Sequence, residues 1–227
     1  MLWYYGGLYT DIDTWERVSF KDCAPVVEAQ SRDVGLMVGV ERDEPFFNVN
    51  EIKGKGWTRG FGFGTGTLWA LKRFDPILRK AIVRSISHAL VQQTLAGGDG
   101  WLASFQGTNE WEEEERGEIS GAGMFTDIIL QALSEGLRDG HDLRDRDAGL
   151  ERRVSWKKLK GLKRPLWVEP NQAKDGVDMR GIAVLPINVW SNGQNHSSSG
   201  TFDAEGACVN HVYGGSPKKK EWYKRLW

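Results

Sequence analysis

Two stretches of the chain hold side chains that could act together on a ligand. In Gly56-Trp57-Thr58-Arg59-Gly60-Phe61-Gly62-Phe63-Gly64, four glycines, three aromatic rings and one guanidinium fall within nine residues. Glycine lets a backbone come close to another molecule. Trp57 and Phe63 offer flat apolar faces, and the rigid donor fork of Arg59 suits a carboxylate. Such a loop could hold an acidic sugar ring, with the aromatic faces beneath it and the arginine on its acid group. It also has a packing reading, as a connector whose rings fill the core. The second stretch, Gly117-Glu118-Ile119-Ser120-Gly121-Ala122-Gly123-Met124-Phe125, is glycine-rich and acidic. Glu118 and Ser120 have two readings there: capping the free amides of a following helix, or lining the same cleft.

Few other residues carry chemistry. His88 lies mid-helix beside Ala89 and Leu90 and reads as a packed or half-exposed side chain. His141, His196 and His211 stand in polar segments with no carboxylate or cysteine at metal-ligand spacing, so neither a metal nor a cofactor is expected. Cys23 and Cys208 form neither a disulfide framework nor a metal cluster and read as buried or free thiols. Asn195-His196-Ser197 is a glycosylation sequon, usable only by a secreted protein. The acid run Glu112 to Glu115 reads as a solvated face.

Composition narrows the ligand class. A net charge of -1 gives no electrostatic case for nucleic acid or an anionic membrane. Eleven tryptophans without basic charge suit flat apolar ligands such as sugar rings. No stretch reaches the roughly 20 apolar residues that cross a membrane. Met1-Leu2-Trp3-Tyr4-Tyr5 lacks the pattern of a secretory signal, so an intracellular protein is expected. Three aromatics within those first five residues suit structured sequence, so a preceding segment is expected as well.

The elements that would position these residues read mainly as helices. One spans Thr14 to Gln30, interrupted by Pro25. Leu36 to Val40 reads as a short extended piece, and Asp43 to Lys55 as a polar loop. Thr65 to Phe74 carries Leu68, Trp69 and Leu71 on a helical stripe. Asp75-Pro76 then caps a second helix running to about Leu95, with Leu78, Ala81, Ile82, Ile86, Ala89 and Leu90 at three- and four-residue spacing. A third spans Ala122 to Leu137 with Phe125, Ile128, Ile129, Ala132 and Leu133 inward. Paired helices with gathered loops predict an all-α fold, a partial (α/α)6 toroid of αα-hairpins over residues 1–164. Residues 165–227 read as an irregular Pro/Gly-rich segment in which Ile182 to Leu185 is a strand or a buried tether.

Three motifs in this order resemble those of the unsaturated glycuronyl hydrolases of glycoside hydrolase families 88 and 105, which include the unsaturated rhamnogalacturonyl hydrolases. They are Trp57-Thr58-Arg59-Gly60-Phe61-Gly62-Phe63, Gln93 with Asp99-Gly100-Trp101-Leu102, and Glu118-Ile119-Ser120-Gly121-Ala122-Gly123-Met124-Phe125. Asp33-Val34-Gly35-Leu36 is similar to the family's Gly-Leu turn, and Gly200 to Gly206 to a segment of its fungal members. The resemblance implies a toroid hydrolase that removes a 4,5-unsaturated uronic acid from oligosaccharides released by polysaccharide lyases, as in rhamnogalacturonan and pectin degradation. In that chemistry an aspartate protonates the vinyl-ether carbon and helps water add, with no metal. It assigns Trp57, Arg59, Phe63, Glu118 and Ser120 to substrate binding.

The chain departs from the family pattern at several points. Phe63 replaces the final tryptophan of the loop, and Met37, Val38 and Gly39 stand where the family has a histidine. In the best register the catalytic aspartate precedes Met1, leaving Asp11 and Asp13 as the substitutes, residues that also read as surface or capping aspartates. One alternative is an inactive carbohydrate-binding or structural toroid remnant. Another is an interaction module using Phe46, Phe47 and the acid run.

Overall fold

The computed structural model describes residues 1–95, 121–147, 149–150, 153–172 and 178–212 of the chain. Its centre is a mixed β-sheet, which overturns the all-α toroid. The five strands are β1 (Gly7–Thr10), β3 (Val34–Asp43), β4 (Phe61–Ala70), β5 (Leu166–Val168) and β8 (Gly181–Leu185), in the order β1-β4-β3-β8-β5. Only the β3/β8 pair is parallel. Two smaller ribbons pair β2 (Thr14–Glu16) with β9 (Val209–His211) and β6 (Asn171–Gln172) with β7 (Asp178–Met179).

The helix expected over Thr65 to Phe74 is the second half of β4, to Ala70, followed by a turn. Phe61, Phe63, Thr65, Thr67 and Trp69 recur at period two, the repeat of a strand. Gly60, Gly62, Gly64 and Gly66 each disfavour a helix by ~1 kcal/mol relative to alanine. That alternation outweighs the short Leu68 and Leu71 stripe. The β3/β8 pair is covered on both faces, so its strands read as unbroken apolar runs, Leu36-Met37-Val38 and Ile182-Ala183-Val184-Leu185. The sheet therefore draws strands from both sides of residue 164.

Helices cover both faces. On one lie α4 (Pro76–Leu95) and α5 (Ala122–Gly136). Both were legible as helices, and Asp75 Oδ1 accepts from the Ile77 and Leu78 amides as an N-cap. Phe125, Ile128, Ile129 and Leu133 of α5 pack with Leu36, Val38, Phe61, Phe63 and Val184, each contributing on the order of 1.5–3 kcal/mol by burial. The opposite face carries α2 (Ala24–Ser31), shorter than expected and begun at Pro25, and the single turn Ile187–Trp190. Met37, Ala183 and Leu185 pack there against Val26, Ala29, Trp190 and Val209. Within the expected polar loop, Asn48 and Glu51 form a capping box that starts α3 (Val49–Gly54).

Cys23 and Cys208 are bonded to one another, not free thiols, across 185 residues of sequence. The bond ties the start of α2 to the residue before β9. Among the described residues, no helix is long and apolar enough to cross a membrane.

Candidate functional site

The loop Trp57 to Phe63 docks against the protein. Gly60 lies so close to the Glu44 carbonyl that a side chain there would collide with it. Trp57 is half-buried, stacked on Phe47 at 6.3 Å with the His196 ring edge-on at 4.6 Å and the Arg42 guanidinium over its face. Burial, and the nearby Lys55 and Arg42, hold His196 below its ordinary pKa. Arg59 pairs with Asp127 of α5 at 2.8 Å. Phe63 is fully buried in the α5-facing core, and its amide donates to Thr126 Oγ1 at 3.0 Å. The geometry does not gather Trp57, Arg59 and Phe63 around one concavity. A cleft of about 670 Å³ does lie between α4, α5 and residues 145–157, with Asp127, Asp145, Arg84, Arg153 and Trp156 in its wall. Glu118 and Ser120 lie outside the described residues.

Asp11 and Asp13 come together at the opposite face of the sheet. As β1 ends, the Asp11 amide donates to the Gly66 carbonyl at 2.8 Å, and Thr14 donates to the Asp11 carbonyl through Oγ1 at 2.6 Å. This turn sends the chain into β2, whose pairing with β9 sets His211 opposite Thr14. One ligand atom each from Asp11, Asp13 and His211 then lies within 4.8 Å of the others. His211 Nε2 and Asp13 Oδ1 are 3.0 Å apart, and Tyr9 donates its hydroxyl to Asp11 Oδ1 at 2.7 Å. That bond, more than burial, raises the Tyr9 pKa.

Gly64 and Gly66 make the room. A methyl at Gly66 would stand 2.9 Å from Asp11 Oδ2 and 3.2 Å from the His211 ring, and one at Gly64 would stand 3.3 Å from Cβ of Glu41. Asp11 and Glu41 therefore flank β4 from its two edges, at the alternate glycines Gly66 and Gly64. Glu41 follows Met37 and Gly39 in alternation along β3, where Gly39 admits the Trp190 side chain. The mouth of this pocket reaches solvent, yet protein surrounds the Glu41 carboxyl closely enough that burial pushes its pKa upward. Arg42 and His211 oppose that rise and Asp11 adds to it. Among the described residues the carboxyl has no hydrogen-bond partner.

Two carboxylates and an imidazole form a donor set that suits a divalent cation, and Asp11, Asp13 and His211 are the residues that would hold one. The expectation that His211 lacked a nearby carboxylate thus held along the chain and not in space, since Asp13 is 198 residues away. The pocket can also do acid–base work, because burial raises the pKa of the Glu41 carboxyl beside two aspartates. Sequence reasoning missed Glu41 and His211. No protein-family model, no curated protein and no solved structure matches the chain.

Proposed function

We propose that the pocket of Glu41, Asp11, Asp13 and His211 is the acid–base centre of a glycoside hydrolase acting on an unsaturated uronic acid at the end of an oligosaccharide. Glu41 is the proton donor. Its carboxyl, enclosed by protein with no hydrogen-bond partner among the described residues and set on the same glycine-lined strand as Asp11, is the observation that carries the reading. Glu41 delivers its proton to the vinyl-ether carbon, and positive charge develops on the ring carbon next to the ring oxygen. Asp11 takes a proton from the water that adds there, and the resulting hemiketal opens to release the sugar. Asp13 orients His211 and so fixes the wall of the pocket.

The surroundings suit a sugar acid. Tyr9, whose hydroxyl bonds Asp11, exposes its ring, and such a face stacks on sugar rings. The Arg42 guanidinium, held over the Trp57 ring at 5.6 Å, still acts on Glu41 through space and is the cation offered to the substrate carboxylate.

The test is turnover of an unsaturated uronide disaccharide, followed as loss of absorbance from its conjugated double bond. Wild type is expected to consume it, and Glu41→Gln to bind it without turnover. Binding by wild type with no turnover would leave a carbohydrate-binding protein instead, and the absence of binding would remove the saccharide altogether.

A further inference from the structure

The sequon Asn195-His196-Ser197 and the Cys23–Cys208 bond are independent features that point to one compartment. Asn195 lies in the loop after the Ile187–Trp190 turn and is exposed. It stands in the one Asn-x-Ser/Thr triplet of the chain. Both cysteines are almost fully buried and bonded across 185 residues. Structural disulfides of this kind form where thiols are oxidised, in the secretory lumen or outside the cell, and are rare in the cytosol. That lumen is also where the asparagine of a sequon is modified.

We infer that Asn195 is an N-glycosylation site in a chain that matures through an oxidising secretory compartment. The donor is an oligosaccharide carried on a polyprenyl diphosphate. The Asn195 amide nitrogen forms a bond to the anomeric carbon and loses a proton. The anomeric C–O bond breaks, and the lipid diphosphate leaves with its electron pair. Separately, the thiols of Cys23 and Cys208 lose two protons and two electrons to the thiol oxidant of that compartment, leaving one S–S bond.

The position favours a glycan on the folded protein. Asn195 points to solvent while its neighbours anchor the loop. The Gln194 side chain donates to the Glu41 carbonyl at 3.0 Å, the Ser197 amide donates to Glu44 Oε1 at 2.8 Å, and Ser197 Oγ accepts from the Asp43 amide at 2.9 Å. A sugar there extends the surface around Trp57 and His196.

The experiment routes the full chain, behind a cleavable leader, into the secretory pathway of a eukaryotic cell. The product is treated with an N-glycan amidase in heavy-oxygen water. The expected result is one glycan lost, an isotope-labelled acid at position 195 by tandem mass spectrometry, and no mass shift in Asn195→Gln. Alkylation without reductant is expected to label neither Cys23 nor Cys208. A wild-type chain recovered without a glycan, or a glycan that survives Asn195→Gln, overturns the site. Labelling of both thiols in the recovered chain overturns the compartment on which it rests.

Discussion

Arg59 and Glu41 are both half-buried ionisable side chains beside glycine-rich backbone, and their surroundings give them opposite capacities. Arg59 is held by Asp127 at 2.8 Å, and its neighbour Phe63 is sealed in the core. A ligand carboxylate would have to displace one partner and could not reach the other. Glu41 has no hydrogen-bond partner among the described residues, and the missing side chain at Gly64 lets it lie against the β4 backbone. Residue types suited to a sugar acid therefore become structural where partners saturate them. They stay chemically available where a burial penalty is left uncompensated.

The largest effect that would sharpen this contrast is expected from Glu41→Gln. Removing a general acid costs about 10²- to 10⁴-fold in rate, so turnover should fall by that order while circular dichroism is unchanged. Wild-type turnover should decline as pH rises through the raised Glu41 pKa, because the working form is the acid. Stability carries the same signature. The folded state holds the Glu41 proton above 4.5, the ordinary glutamate value, so the contribution of this residue falls as pH climbs from there to the folded pKa and then levels off. The difference in melting temperature between wild type and Glu41→Gln should trace that decline, and a difference independent of pH would show that Glu41 is not held protonated.

Phe63→Ala should come next, destabilising by about 3–5 kcal/mol in urea denaturation, as expected for an aromatic ring lost from a close-packed core. A cost below about 1 kcal/mol, the level of an unremarkable surface change, would mean that the ring is available to a ligand and would dissolve the comparison. Gly66→Ala ranks below it. The added methyl meets Asp11 Oδ2 at 2.9 Å, and overpacking of this kind costs about 1–3 kcal/mol. Turnover should suffer more than melting temperature, because Asp11 and His211 must move aside.

Much of the helical structure was legible, and the sheet was not. Asp75-Pro76 and the apolar stripe of α5 are local signals, and both helices stand where those signals set them. The glycine alternation in β4 is equally local, but it competes with a leucine stripe that fits a helix, and only pairing with β1 and β3 decides between them. The site divides in the same way. Asp11 and Asp13 were named only through the register of the family resemblance, as the aspartates nearest Met1. Glu41 could have been found from the alternation Met37-Gly39-Glu41, which sets an acid on the face of a buried strand. His211 could not, because its place beside Asp13 depends on the β2/β9 pairing. The Cys23–Cys208 bond was hidden for the same reason: 185 residues lie between its ends.

The smallest effect is expected from Arg59→Ala, and it bears most directly on the contrast. The Arg59 and Asp127 side chains keep 24% and 40% of their surface exposed, so solvent screens the pair and it is worth about 0–1 kcal/mol. Melting temperature should move little, and affinity for an unsaturated uronide disaccharide, measured by calorimetry, should stay within a factor of two or so of wild type, equivalent to about 0.4 kcal/mol. Arg42→Ala is the matched control, since it removes the cation next to Glu41 and should weaken the same ligand more strongly. If the ranking is reversed, with Arg59→Ala abolishing binding and Arg42→Ala neutral, the sugar acid sits at the α5 end of the sheet. Asp127 then becomes the partner that the ligand displaces, and the pocket at Glu41 loses its substrate.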